Sequence, residues 1–159
     1  MKELKGLQVV AIIIGGGDGL PYLKKMAKKL GVSDKIKFLG ELKYEDLPEY
    51  FNTIDICLLP LVEHISMKVR TTGKLPLYLA SNRYIISTQT GDAKHYLKEN
   101  GEIINYSGIK DSSWSKKVAS RIKVIYNNKS ILEKSKIGSK ISKKNFDYAI
   151  LLRRLKKII

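Results

Sequence analysis

The sequence predicts an α/β fold, a Rossmann-like parallel sheet of about five strands flanked by helices, and three observations carry that reading. Short apolar runs of strand length alternate with segments of helical spacing along the whole chain. The first of these runs is continuously apolar rather than alternating in polarity, as in parallel sheets covered on both faces. Glycine and proline stand where a strand hands over to a helix and where a helix ends, and strand-helix alternation of this kind implies right-handed crossovers. The 159 residues, 1–159, read as one domain, long enough to bury a core.

The elements follow in order. Residues 1–7 read as the tail of a helix or a disordered lead. Val9 to Ile14 is the first strand, and Gly15-Gly16-Gly17-Asp18-Gly19 turns tightly after it. Pro21 opens a helix through Leu30 that Gly31 ends, with Leu20, Leu23, Ala27 and Leu30 as its apolar face. Asp34 to Gly40 is the second strand, Tyr44 to Asn52 a short helix with Leu47, Tyr50 and Phe51 inward, and Ile54 to Pro60 the third strand. Lys68 to Thr88 reads as a loop, a short helix and a buried strand. Pro76 lies in the helix's first turn, Leu75, Tyr78 and Leu79 share one face, and Asn82 closes the helix in a left-handed conformation before the strand Tyr84 to Thr88. Ala93 to Glu99 is helical, Glu102 to Asn105 is a fifth strand, Ser113 to Tyr126 is an amphipathic helix carrying Trp114, and helix runs from Ile131 to the end.

Composition narrows the function classes. Apolar residues at 43% argue against disorder. No window approaches the roughly 18 to 20 continuous apolar residues that span a bilayer. The opening MKELKGLQVV lacks the parts of a signal peptide, and the single Cys57 lies in an apolar run and reads as a buried, reduced thiol. The expected location is cytoplasmic, with peripheral attachment at the inner face of the membrane as its extension. A formal net charge of +15 favours anionic partners, whether nucleic acid, an anionic membrane surface or a phosphorylated substrate. A lysine- and isoleucine-rich genome would also produce it.

Several residues are candidates for chemistry. Arg70, Thr71, Thr72, Gly73 and Lys74 sit where a helix begins, and free N–H groups, two cations and two hydroxyls there suit a diphosphate. The alternative is an ordinary basic helix cap. Gly40, Glu41 and Leu42 follow the second strand at its carboxyl end, where open α/β sheets place ligands. In IIIGGGDG the glycines let a cofactor approach the backbone, with Glu41 placed to take ribose hydroxyls. These letters also resemble the GGGDG signature of spermidine synthases, which implies an S-adenosylmethionine-type cofactor, although Leu20 holds the last glycine position of a dinucleotide fingerprint. His64 and His95, alone in separate segments, make no metal site; His95 reads as a surface helix residue and His64 as a loop residue. No nucleophile elbow and no carboxylate pair spaced for acid/base work is present, so no catalytic residue is assigned. Asp147 to Ile159 is basic and amphipathic, suited to packing or to an anionic membrane. Aromatics are too few for a base-stacking platform, which makes nucleic acid an unlikely partner.

The order K-L-x-x-Y-L-A-S-N and an apolar strand, at Lys74, Leu75, Tyr78, Leu79, Ala80 and Ile85 to Ser87, resembles the P-x-K-L-x-E-Y-x-A segment of retaining GT-B glycosyltransferases of family 4. Four further stretches resemble that family in the right order: IIIGGG with KFLGEL, LPEYFNTIDICLLPL, TGDAKHYLKENGEIINY and KNFDYAILLRRLKKII. The resemblance implies the donor-binding C-terminal half of such an enzyme, taking a nucleotide-diphosphate sugar as substrate with no resident cofactor or metal. It implies the diphosphate at Arg70 to Lys74, the nucleobase at Gly40 to Leu42, the ribose at the position of Leu77, and a donor cleft bordered by Gly15, Gly16, Pro60 and His64. Leu77 stands where the family has the glutamate that holds the ribose, and Val69 where it has the earlier glutamate of its E-x7-E pair. The N-terminal acceptor domain, or a partner subunit replacing it, is the implied companion. A non-catalytic module that kept the fold is the other outcome the departures imply.

Overall fold

A computed structural model describes residues 1–97 and 100–158. These form two compact units, Met1–Glu49 and Tyr50–Ile159.

In the first unit a 3-10 turn at Lys2–Leu4 leads to β1 (Ala11–Ile14), and α1 (Gly19–Lys29) then leads to β2 (Ile36–Gly40). The strands pair in parallel with Ala11 opposite Ile36, and the register shifts between Ile13 and Ile14. Leu4, Ala27 and Val32 are the buried apolar residues of this unit. The opening residues are therefore neither a helix tail nor disordered, because Leu4 anchors them and the Lys35 ammonium donates to the carbonyls of Lys5 and Leu7 at 2.6 and 2.7 Å. Helix α1 begins two residues before Pro21. At its end Gly31 N–H donates to Lys28 O and Val32 N–H to Ala27 O, both at 3.0 Å, the paired closing bonds a C-terminal glycine allows. The apolar face read from periodicity holds only in part: Ala27 is buried, whereas Leu23 and Leu30 are each 39% exposed. Likewise β1 is half-buried along its length rather than enclosed, and Val10 before it is exposed.

α2 (Leu47–Asn52), preceded by a 3-10 turn at Tyr44–Asp46, carries the chain into the second unit. There β3 (Ile56–Leu59), β4 (Tyr84–Ser87) and β5 (Gly101–Ile103) pair in parallel in that order. Between β3 and β4 come α3 (Ile65–Lys68) and α4 (Lys74–Ala80). α5 (Ala93–Tyr96) precedes β5, and α6 (Trp114–Asn127), a 3-10 stretch Lys129–Ile137, α7 (Gly138–Phe146) and α8 (Tyr148–Leu155) complete the chain. Lys98, Glu99 and Ile159, the ends of two expected helices, lie outside the described residues. The five expected strands thus exist and all pair in parallel, but among the described residues they form a two-stranded and a three-stranded sheet. Apolar runs identify strands; they do not identify each strand's neighbour.

The three-stranded sheet holds the larger core. Tyr84 and Ile86 on one face of β4 pack with Ile104, Trp114, Val118 and Ile125, and the Trp114 indole N–H donates to Ile104 O at 3.0 Å. Alternation puts Ile85 and Ser87 on the other face. There Leu75 and Leu79 of α4 are almost fully buried, as the helical spacing predicts, and the Phe51 and Tyr78 rings meet edge to face at 5.6 Å. Asn82 takes the expected left-handed conformation, φ 53°, and its Oδ1 accepts from Ser139 N–H at 2.7 Å, tying the end of α4 to the start of α7.

Asp111 fixes the start of α6, accepting from Ser113 N–H at 2.8 Å, from the Ser113 hydroxyl at 2.6 Å and from Ser107 N–H at 3.2 Å. The Ser113 hydroxyl is the main cause that holds the carboxyl at about 2, below its ordinary 3.8. A carboxylate lowered in the folded state adds stability above its unfolded value and loses it as pH falls through the folded one. The expected result is that Asp111→Asn flattens the acid limb of a Tm-against-pH curve between roughly pH 4 and 2 while lowering Tm near neutrality. A variant curve parallel to the wild-type one at acid pH would contradict this role.

Candidate functional site

The carboxyl ends of β3 and β4 lie side by side, Leu59 opposite Ser87, and both strands run on into loops. Leu61 N–H donates to Thr88 Oγ1 at 3.2 Å and that hydroxyl donates back to Leu61 O at 2.8 Å, so the two loops start out locked together. His64 then starts α3: its extended backbone and its Nδ1, which accepts from Ser66 N–H at 3.3 Å, make it the helix cap. That is the place the structure gives this histidine, and exposed Pro60 lies four residues ahead of it.

The loop after α3 delivers Arg70 to Lys74 and rests on the turn after β4. Gly91, at φ +71°, allows the contact: a Cβ there would lie 3.0 Å from Met67 O and 3.2 Å from Arg70 O. The Thr71 hydroxyl donates to the Asp92 carboxylate, a second tie between the same segments. Arg70, Thr71, Gly73 and Lys74 are exposed and Thr72 is buried. Among the described residues neither Arg70 nor Lys74 pairs with a carboxylate. Among the described residues the Thr72 and Thr90 hydroxyls are buried without a hydrogen-bond partner, an arrangement that costs about 1–3 kcal/mol each until an acceptor or donor arrives. Because α4 has only seven residues, the anion-attracting character of this segment rests on its cations, hydroxyls and loop amides rather than on a helix dipole.

Leu77, in the middle of α4, is half-buried and brings no polar side-chain atom to the position the family resemblance gives to the ribose. Burial pushes the Cys57 thiol of β3 and the Tyr78 phenol of α4 up to about 12 each, which keeps both neutral through the physiological range. Cys57 is the buried thiol that its apolar run predicts.

In the first unit the ends of β1 and β2 bring Gly15, Gly16, Gly40 and Glu41 together. Gly15 N–H donates to Gly40 O at 2.7 Å. The Glu41 side chain lies over Gly16, where an added Cβ would be 2.7 Å from Glu41 Oε1. Glu41 is exposed and Leu42 half-buried. The candidate residues therefore fall into two groups: Gly15, Gly16, Gly40, Glu41 and Leu42 on the first unit, and Pro60, His64, Arg70 to Lys74 and Leu77 on the second. Sequence reasoning missed Thr88, Thr90, Gly91 and Asp92, which hold or flank the basic loop. Their signal was T-x-T-G-D directly after a buried parallel strand, the place where such sheets present loops to ligands.

Parallel strands alternating with helices make this an α/β protein, built as one half of a GT-B glycosyltransferase is built. The model of the family described as glycosyl transferases group 1 matches residues 1–123, and the chain belongs to that family. Among curated proteins none matches significantly. Solved structures similar to the chain include the pneumococcal O-GlcNAc transferase GtfA in complex with UDP and GlcNAc, at 16% identity and TM-score 0.78 over 99% of this chain and 30% of that one. Anabaena HepE in complex with UDP-glucose is similar at 17% identity and TM-score 0.75, over 95% of this chain and 40% of that one. Sucrose-phosphate synthase from Thermosynechococcus elongatus is similar at 15% identity and TM-score 0.75, over 92% and 37%. The chain thus spans less than half the length of these proteins, and the likeness is one of fold.

Proposed function

We propose that the 159 residues are a single donor-binding domain, the C-terminal half of a family 4 GT-B glycosyltransferase, binding a nucleotide-diphosphate sugar. The observation that carries this reading is the loop Arg70 to Lys74. Among the described residues it offers two cations without carboxylate partners and, at Thr72, a buried hydroxyl without a partner, and it is braced by a turn whose Thr90 hydroxyl is also unpartnered. That is the chemistry a diphosphate satisfies. Family membership supports the substrate class, and UDP or UDP-glucose in the GtfA and HepE structures supports it by similarity.

In this reading the diphosphate takes Arg70, Thr71, Thr72, Gly73 and Lys74, and the nucleobase takes Gly40, Glu41 and Leu42. The bond from the anomeric carbon to the diphosphate breaks, a new bond to the acceptor oxygen forms with retention as its hydroxyl proton passes to the departing diphosphate, and Arg70 and Lys74 stabilise the charge left on that diphosphate. The donor is a substrate, and the reading calls for no resident cofactor or metal. The acceptor and the rest of the active site come from an N-terminal acceptor domain or a partner subunit, so this domain alone is inactive in transfer. Glycan or lipid-linked polysaccharide synthesis at the cytoplasmic side is the setting that fits.

Calorimetric titration with UDP, GDP and ADP tests it. Each cation's charge-assisted bond to phosphate contributes about 1.5–3 kcal/mol, so the Arg70→Ala, Lys74→Ala double variant should bind the preferred nucleotide at least about 100-fold more weakly. Equal affinity of variant and wild type would remove the diphosphate from this loop.

A further inference from the structure

We propose that Asp92 reads the sugar of the donor, its carboxylate accepting from sugar hydroxyls beside the departing diphosphate; the inference rests on the nucleotide-sugar reading above. In that reading the ribose lies at Leu77 and the diphosphate at Lys74 to Arg70, so the donor runs from the middle of α4 back past its start. The sugar is on the far side of the diphosphate from the ribose and falls beyond Arg70. One residue there is Val69, 76% exposed and without a polar side-chain atom, at the position where the family resemblance has a glutamate. The segment that lies against it is the turn Gly91-Asp92: a Cβ on Gly91 would be 3.0 Å from Met67 O and 3.2 Å from Arg70 O.

Asp92 brings to this corner the carboxylate that Val69 lacks. Its Oδ2 accepts from the Thr71 hydroxyl, and among the described residues it is the only carboxylate hydrogen-bonded to residues 69–74. Among the same residues Oδ1 accepts from no group and no cation pairs with the carboxylate. The residue is half-buried, and its backbone is fixed before any ligand arrives. Gly91 takes φ +71°, and Asp92 O accepts from His95 N–H at 2.9 Å as α5 begins. Chemistry then selects the partner of the open oxygen. A diphosphate presents acceptors and negative charge, so a carboxylate repels it. Ribose hydroxyls can donate, but they sit at Leu77, on the other side of the diphosphate. The sugar hydroxyls remain, and a bond from a hydroxyl to an ionised acceptor is about twice as strong as one to a neutral acceptor. A site that answers hydroxyl groups with a placed polar partner discriminates sharply against sugars that present them differently.

The test is calorimetric titration of the 159-residue chain and of its Asp92→Asn variant, first with UDP, GDP and ADP. The glucose, galactose, mannose and N-acetylglucosamine esters of the diphosphate that binds then follow. Asparagine keeps an oxygen for the Thr71 hydroxyl, so the loop stays braced and Tm is unchanged while the charge is lost. The expected result is a difference between the two kinds of ligand. The best sugar ester should bind the variant about five- to tenfold more weakly, the change from a charged to a neutral acceptor. The free diphosphate should bind it equally or more tightly, because a like charge has gone. A variant that weakens ester and free diphosphate alike would make Asp92 a brace or a ribose contact and overturn the proposal. So would a variant that changes neither, and both results leave the nucleotide-sugar reading standing. A wild-type chain that binds none of the three diphosphates would instead remove that reading, and the role of Asp92 with it.

Discussion

Trp114→Ala is expected to lower the unfolding free energy of the chain by about 3–5 kcal/mol, the range for removing a large buried aromatic. The indole is 8% exposed, lies in the cluster with Tyr84, Ile86, Ile104, Val118 and Ile125, and meets the Tyr106 ring edge to face at 6.1 Å. Its truncation also leaves the Ile104 carbonyl without the indole donor. Against a typical total of about 5–15 kcal/mol, a loss of that size decides whether the second unit folds. Trp114→Phe separates the two contributions, since it keeps most of the ring and loses the hydrogen bond, and its expected loss is about 1–3 kcal/mol. Urea unfolding followed by circular dichroism measures both. An alanine variant within about 1 kcal/mol of wild type would mean that α6 does not cover the sheet as described.

Gly138→Ala carries the second large effect, and its sign rests on two opposing magnitudes. Gly138 opens α7 with ordinary helical dihedrals, φ −57° and ψ −48°, so alanine would gain about 1 kcal/mol of helix propensity. A Cβ there, however, would sit 2.6 Å from the Leu79 carbonyl oxygen and 3.4 Å from Asn82 Oδ1. The near atom is backbone, so α4 and α7 must separate, straining the Asn82–Ser139 bond; overpacking of this kind costs about 1–3 kcal/mol. With a backbone oxygen at 2.6 Å the cost falls at the upper end of that range, so the clash wins and a net loss of about 2 kcal/mol is expected. Gly73→Ala, with open space around its Cβ and φ −58°, should stay within about 0.5 kcal/mol of wild type. If the two variants unfold together, the close approach of the helices is wrong.

The strands and helix ends were legible in the sequence because their signals are local. Continuous runs such as Ile12 to Ile14 and Tyr84 to Ile86 mark strands. Gly31 and Asn82 mark left-handed helix ends, and Leu75 with Leu79 marks a packed face. What covers a face is a long-range matter, which is why Leu23 and Leu30 sit on a correctly spaced stripe and are nevertheless exposed. Strand pairing is long-range in the same sense, and among the described residues five correctly located strands divide into two sheets. α3 escaped notice because four residues are too few to show a period, and its start depends on the His64 side chain capping Ser66. At the candidate site the letters R-T-T-G-K drew attention to the loop. The brace beneath it did not show: that Gly91 touches the backbone of Met67 and Arg70, and that the Thr72 and Thr90 hydroxyls are buried without partners among the described residues, follows only from chain folding.

In the proposed reading Arg70 to Lys74 seat the diphosphate of a nucleotide sugar. It is tested most directly by titrating the isotopically labelled 159-residue chain with UDP and following each backbone amide by NMR. Saturable shifts are expected at residues 70–74 and at the bracing turn 90–92, together with shifts at 40–42 from the base. Saturable shifts that leave 70–74 untouched would contradict it. A chain silent to UDP but shifted at 15–19 by S-adenosylmethionine would contradict it equally and point to the glycine turn instead.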